Sequence, residues 1–390
     1  METGVVESGP APASHRNRDR RAHPTTQSCG CAWQSSMVRY IIIGAGAIGG
    51  VLGARLQGGN PKHPPLLIVR GEHGAIIASR GLRLRTPDED ITVPIATAAS
   101  ANDILLREDD VLIFATKTHQ LKAAILEWVD QPVYASLGTE RSNVESKTDT
   151  PVGTASDRLP VFMALNGVAS ETIALRFFSR VFGICIWMPA VHLSPGEVIA
   201  RNAPITGTFL IGRHGHQATE RDRKLLDNVA ADWRHSSFTV HLVNDILRWK
   251  YGKLVKNLPN AVQALLGAAG ADAKKVDDAL QIEGKRILTL AGIEWSGDDE
   301  ELRMRGTPFH LRPVPGVSAE LGGSSWQSMA RGTGTIESDF LNGEIALIAR
   351  LHGEEAPLNA TLQRLVRRAA ARGAGASSMT VTELETALGL

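Results

Sequence analysis

The stretch Val38-Arg39-Tyr40-Ile41-Ile42-Ile43-Gly44-Ala45-Gly46-Ala47-Ile48-Gly49 decides the fold. A β-rich apolar run ends at Ile43, a Gly-x-Gly-x-x-Gly string follows at once, and a helical stretch begins at about Ala47. The glycine string alone is a weak signal; between a strand and a helix it marks a βαβ unit that binds a dinucleotide. Gly44 permits the tight turn, Gly46 lets the backbone approach a pyrophosphate, and Gly49 permits close packing of helix on sheet. Ala47 and Ile48 then supply free N–H groups at a helix end whose partial positive charge favours an anion.

Working downstream, Leu66 to Val69 reads as the second strand, and the residue after it selects the cofactor. A carboxylate there would bind the free ribose hydroxyl of NAD. Arg70 stands in its place, a guanidinium suited to the 2′-phosphate of NADP(H). No acid precedes it in the strand, and Glu72 comes two positions late. Further strands are predicted at Ile91 to Ile95, Val111 to Ala115, Val161 to Leu165, Val181 to Trp187 and Gly207 to Ile211, with Pro195-Gly196 as a turn. Lys117 follows the Val111 to Ala115 run at the carboxyl edge of the sheet, where ligands of such folds collect. Residues 138–157, rich in Ser, Thr and Asp, read as a surface insertion. From about Thr219 the period becomes helical, with runs at Asp245 to Leu266, Ala273 to Leu290 and Ile336 to Leu351. The expected class is α/β: a Rossmann-type doubly wound sheet over 37–240, then an all-α domain over 241–390.

Bulk properties narrow the function. With 42 basic and 41 acidic residues among 390, the chain carries a formal charge of +1 and offers no whole-molecule attraction to nucleic acid or an anionic membrane. Anion binding must be local. Cys29, Cys31 and Cys185 supply neither a disulfide framework nor a cysteine zinc site, and His214-Gly-His216 lacks a third ligand, so no metal is expected. No run approaches the roughly 20 apolar residues of a membrane span. Residues 1–36 lack hydrophobic periodicity and read as a disordered extension. Their arginines would suit mitochondrial targeting, but Glu2, Glu7 and Asp19 argue against it, so a cytoplasmic setting is expected. The pattern leaves the number of chains open, a homodimer included.

In Trp249 to Asn260, residues Lys253, Asn257 and Asn260 stand at i, i+4 and i+7. At about 100° per residue they fall within roughly 60° of arc, a polar stripe on a largely apolar helix. Lys250 and Lys256 point elsewhere and are expected to face solvent. Added to Ala115-Thr116-Lys117-Thr118, Asn166-Gly167-Val168, Ser324-Ser325 and Glu337-Ser338-Asp339-Phe340-Leu341-Asn342-Gly343, these residues resemble the ketopantoate reductase (2-dehydropantoate 2-reductase) family. The resemblance runs from Met37 through both domains, with the motifs in the family's order.

The resemblance implies an NADPH-dependent reductase of a small 2-oxo acid, 2-dehydropantoate in pantothenate biosynthesis being the type substrate. It implies Lys253 as general acid with Glu337 as the carboxylate holding it, Lys117 and Asn166 at the cofactor and substrate cleft, and Asn257 and Ser325 as substrate contacts. Two positions depart. The family's second helix asparagine falls at Ala261, where the nearest here is Asn260 after Pro259, and an acid four residues past Ser325 is replaced by Met329. Both touch the substrate side. A β-hydroxyacid or opine-type dehydrogenase, and a non-catalytic NADP(H) sensor, are the alternative readings; a Gly-x-Ser-x-Gly hydrolase elbow is lacking.

Overall fold

β1 (Arg39–Ile43) is apolar on both sides: Tyr40 and Ile42 enter one core cluster, Ile41 and Ile43 another. A strand needs that pattern only where both faces of its sheet are covered. The structure, a computed structural model, describes residues 38–59, 64–136, 150–306, 310–318, 322–330, 336–375 and 377–390. The other main-sheet strands are β2 (Leu66–Ile68), β3 (Ala96–Ala98), β4 (Asp110–Phe114), β5 (Val161–Met163), β6 (Val181–Trp187), β7 (Gly207–Arg213) and β8 (Phe238–Leu242). In space they run β3-β2-β1-β4-β5-β6-β7-β8. Neighbours are parallel except β6 and β7. The chain reverses direction across the sheet between β1 and β4, and ligands of open α/β sheets bind beyond the carboxyl ends of the strands at that point.

Helices α1 (Ala47–Gly59), α2 (Gly71–Arg80), α3 (Thr118–Trp128), α4 (Ala169–Leu175) and α5 (Glu220–His235) cover the sheet. Val51 and Leu52 of α1, Ile77 of α2 and Trp233 of α5 join the cluster holding Tyr40 and Ile42. Leu121, Ile125 and Trp128 of α3 and Ala174 of α4 join the opposite one. A smaller sheet of Ala190–Val191, Glu197–Ala200, Leu82–Arg85 and Asp90–Val93 borders the first.

The rest is helical: α6 (Ile246–Asn257), α7 (Asn260–Leu266), α8 (Lys274–Leu290), α9 (Asp298–Arg305), α10 (Ser324–Ala330), α11 (Asn342–Leu351), α12 (Pro357–Ala371) and α13 (Val381–Leu388). Their apolar faces form a core of their own around Leu258, Leu265, Leu280, Ile345 and Leu362. A buried polar chain fixes three of them together. Asn342 Nδ2 donates to Asn359 Oδ1 at 2.9 Å, Asn359 Nδ2 donates to Glu283 Oε1 at 2.9 Å, and Glu283 also accepts from the first amides of α12.

The doubly wound sheet and following helices are those the sequence pattern predicts, with three local differences. The run expected as a strand at Ile91 to Ile95 lies in the smaller sheet as Asp90–Val93, and Ala96–Ala98 is the strand beside β2. Residues 150–157 are not a surface insertion: Gly153–Thr154 pairs antiparallel with Pro132–Tyr134, and Ala155 is fully buried. Its backbone partners lie on another strand, so composition could not show them. β8 (Phe238–Leu242) lies within the stretch from Thr219 onward whose period reads as helical. Residues 1–36 and 138–149 fall outside the described residues, so the expectations for them stand untouched. Among the described residues no helix is long and apolar enough to cross a membrane.

Candidate active site

Gly44, at the end of β1, adopts φ +102°, and a Cβ there would lie 3.0 Å from the carbonyl oxygen of Ala115 at the end of β4. At Gly49 a Cβ would fall 2.0 Å from the Gly44 carbonyl oxygen. These two glycines therefore close the turn and seat α1. Gly46 faces open space, with nothing within 4 Å of where its Cβ would be. It opens on a cleft of about 750 Å³ lined by Gly44, Gly46, Ala47 and Ile48, by Ala115, Thr116 and Lys117, and by Asn166 beyond β5. The open approach at Gly46 and the start of α1 beside it fit a dinucleotide pyrophosphate.

The helical region supplies the opposite wall with Lys253 and Asn257 of α6, Asn260 of α7 and Glu337. The first turn of α6 packs Ile246 and Trp249 against Cys185, Trp187 and Leu210 of β6 and β7, which sets Lys253 at the carboxyl end of β6. There Lys253 Nζ donates to Asn166 Oδ1 at 3.0 Å and to the Ile186 carbonyl oxygen. Burial pushes its pKa below the ordinary lysine value; the ammonium of Lys250 adds to this, and Glu301 and Glu337 work against it. Glu337 accepts from Lys117 Nζ at 2.8 Å, from Thr118 Oγ1 at 3.1 Å and from the Thr118 amide at 3.2 Å. Burial alone would raise the pKa of Glu337, but the Lys117 ammonium and the Thr118 donors hold it below the usual range. This contact requires close approach: a Cβ on Gly167 would stand 2.6 Å from the carbonyl oxygen of Phe340.

A polarised lysine at the strand ends of a dinucleotide-binding sheet invites comparison with known proteins. The family model "Ketopantoate reductase PanE/ApbA" matches residues 40–135. The 2-dehydropantoate 2-reductase of Mesorhizobium japonicum is 35% identical over 355 residues, spanning 85% of this chain and 98% of the relative. The chain belongs to the ketopantoate reductase family. The 2-dehydropantoate 2-reductase of Pyrococcus horikoshii is 26% identical over 87% of this chain and 99% of its own. Among solved structures, the ketopantoate reductase of Ralstonia eutropha superposes with a TM-score of 0.62 at 21% identity, over 86% of this chain and 99% of that one. A D-mandelate dehydrogenase with NADH and anilino(oxo)acetate gives 0.65 at 18% identity, over 86% and 99%. By family the chain is an NAD(P)-dependent oxidoreductase resembling 2-dehydropantoate 2-reductase.

Within this ketopantoate reductase frame, several partners differ from those expected. Glu337 holds Lys117, not Lys253, because the turn Glu337–Phe340 packs on the start of α3. Lys253 is satisfied by dipoles instead. Arg70 reaches the cleft rim, but its guanidinium donates to both carboxylate oxygens of Glu127 at 2.6 Å and to the Ala99 carbonyl at 2.8 Å. Glu127 comes from α3, so the strand sequence could not reveal it. Ser325 is 2% exposed, does not line the cleft, and leaves its Oγ without a hydrogen bond among the described residues; Ser328 lines the cleft instead. The break at Pro259 turns Asn260 to the cleft and buries Ala261 in the helical core. Met329 enters that core too. Lys250 is not solvated: only 3% exposed, it pairs with the fully buried Glu171 of α4. Lys256 bonds Glu301 at 2.5 Å and Asp298 at 2.8 Å.

Sequence reasoning missed His73, whose Nε2 bonds the Ala45 carbonyl at 2.8 Å while its Nδ1 accepts from the Gly196 amide at 2.7 Å. It ties the glycine loop to the Pro195-Gly196 turn. No spacing rule marks a histidine in that role. Arg201 was missed as well, although it also lines the cleft.

Proposed function

We propose that this chain uses NADPH to reduce a small 2-oxo acid to the 2-hydroxy acid, with Lys253 as general acid. One observation carries the reading: the Lys253 ammonium, at the carboxyl end of β6, lines the same cleft as the open Gly46 approach. When bound, the reduced nicotinamide supplies the hydride. Reduction builds negative charge on the carbonyl oxygen, and the ammonium both stabilises that charge and gives it a proton, effects contributing typically 10²- to 10⁴-fold. Asn166 Oδ1 and the Ile186 carbonyl aim the ammonium. Glu337 keeps Lys117 placed at the cofactor side, while Asn257 and Asn260 offer amides to the substrate.

Residues 37–240 act as the cofactor domain and 241–390 as the helical domain that completes the substrate site. The expected setting is cytoplasmic. NADPH oxidation across a panel of 2-oxo acids tests the reading, with 2-dehydropantoate first. Turnover by the unmutated protein and a loss of about 10²- to 10⁴-fold in kcat for Lys253→Ala, with NADPH affinity kept, are expected. A Lys253→Ala variant with full kcat overturns the mechanism.

The Glu127 contact favours a second reading: with Arg70 already paired, the chain would act as a 2-hydroxy acid dehydrogenase that uses NADH. The ratio of NADPH to NADH affinity separates the two.

A further inference from the structure

His73 of α2 lines the cleft together with Gly44, Gly46 and Arg70, yet neither of its ring nitrogens is left over for a ligand. The Ala45 carbonyl can only accept, so Nε2 carries the proton and donates to it at 2.8 Å. The Gly196 amide can only donate, so Nδ1 accepts from it at 2.7 Å. Whatever this histidine does for a bound cofactor passes through Ala45. We propose that His73 is a positioning residue for the cofactor, locking the peptide between Ala45 and Gly46 in the orientation that receives the pyrophosphate.

That peptide needs a lock. A trans peptide is planar, so its C=O and its N–H point in opposite directions. With the Ala45 oxygen drawn to His73, the Gly46 N–H is turned the other way, and among the described residues it has no partner. Glycine takes either sign of φ, and nothing lies within 4 Å of where a Cβ on Gly46 would be. Unanchored, the peptide could rotate and present a carbonyl where the N–H had been, and phosphates are held by N–H groups, not by carbonyls. The histidine is itself held from behind. The Gly196 carbonyl accepts from the Arg83 amide at 2.9 Å, and a Cβ on Gly196 would stand 2.3 Å from Ile76 Cγ2, so the Pro195-Gly196 turn sits tight on α2. A Cβ on Gly74 would stand 2.8 Å from the Val69 carbonyl oxygen, which seats the start of α2 on the end of β2. The His192 ring lies 4.3 Å from that of His73, centroid to centroid. Together these contacts fix the place from which the imidazole holds Ala45.

The inference rests on a dinucleotide at the glycine turn and not on the identity of the substrate. NADPH and NADH are each titrated by fluorescence against the unmutated protein, His73→Asn and His73→Gln. The short Asn amide can still accept from the Gly196 N–H but falls short of Ala45, whereas the Gln amide is long enough to donate to the Ala45 carbonyl. His73→Asn is expected to weaken both cofactors about 3- to 10-fold and by the same factor, since both carry the pyrophosphate. Its kcat with a 2-oxo acid at saturating NADPH should stay within about twofold, and its unliganded melting temperature within about 2 °C. His73→Gln should recover most of the affinity.

A purely structural role would lower kcat and melting temperature along with affinity, and that result overturns the proposal, as does a His73→Gln protein no better than His73→Asn. A loss confined to NADPH overturns it too, because the histidine would then act on the 2′-phosphate. If the unmutated protein binds either dinucleotide and His73→Asn binds it equally well, the inference falls and the cofactor reading survives. If the unmutated protein binds neither, the cofactor reading falls and the inference falls with it.

Discussion

Lys253 donates to an amide oxygen and a peptide oxygen, so dipoles surround its charge without neutralising it. Its lowered pKa makes it a readier proton donor at working pH. The acid form is the active one, so kcat should fall as pH rises through that pKa. The alkaline limb should lie below the roughly 10.4 of an unperturbed lysine. A kcat profile of the unmutated protein checks this; a limb at the ordinary lysine position, or one that persists in the residual activity of Lys253→Ala, would sink the assignment. Arg70 offers a second test at this scale. Glu127→Gln should release the guanidinium and widen the preference for NADPH over NADH, while Arg70→Ala should narrow it, each by about tenfold as measured by cofactor titration. The cleft-facing positions of Lys253 and Asn257 were legible because they follow the helical period, whereas Asn260 reaches the cleft across the break at Pro259. Their partners were not. Glu337 lies 220 residues from Lys117, and Glu171 lies 79 from Lys250, and no local pattern encodes which acid meets which base.

At the scale of elements, the turn between β1 and α1 separates folding from binding within three glycines. Gly49→Ala drives a Cβ into the Gly44 carbonyl, so the unliganded protein should melt lower and bind cofactor weakly. Gly46→Ala meets no protein atom within 4 Å, so its unliganded stability should stay within about 0.5 kcal/mol while cofactor affinity drops. Melting curves with and without NADPH distinguish them; a Gly46→Ala protein that binds normally would remove the pyrophosphate from that spot. Strands such as β1 and β4 were readable because burial on both faces makes them continuous apolar runs between turn signals. β8 was missed although Phe238-Thr239-Val240-His241-Leu242 alternates apolar and polar as a half-buried strand does, because it follows α5 with no proline or glycine to mark the boundary. Residues 150–157 escaped for a different reason, polar composition masking a paired strand.

For the whole molecule, Glu337 is one of the points where the helical region is tied to the sheet domain, through Lys117 and Thr118 at the start of α3, beside the Lys250–Glu171 pair and the Lys253–Ile186 bond. Net charge conceals this, because a balanced total says nothing about where opposite charges meet. The tie has a pH signature whose sign follows from the lowered pKa of Glu337. A carboxylate with a folded pKa below its unfolded value contributes stability that is fully present above the unfolded value, about pH 4.3, and is lost as pH falls through the folded one. Glu337→Gln keeps an oxygen for the Thr118 donors and removes only the charge. At pH 7 it should cost less than the roughly 1.5 to 3 kcal/mol of a charged hydrogen bond, because the Lys117 side chain is 30% exposed and water screens the pair. Thermal unfolding of both proteins at pH 7 and at successively lower pH reads the difference. It should shrink on acidification and close below the folded pKa, where the unmutated carboxyl is neutral too. A gap in melting temperature that holds constant down to pH 3 would show that Glu337 acts through shape, and that its ionic tie to Lys117 contributes nothing.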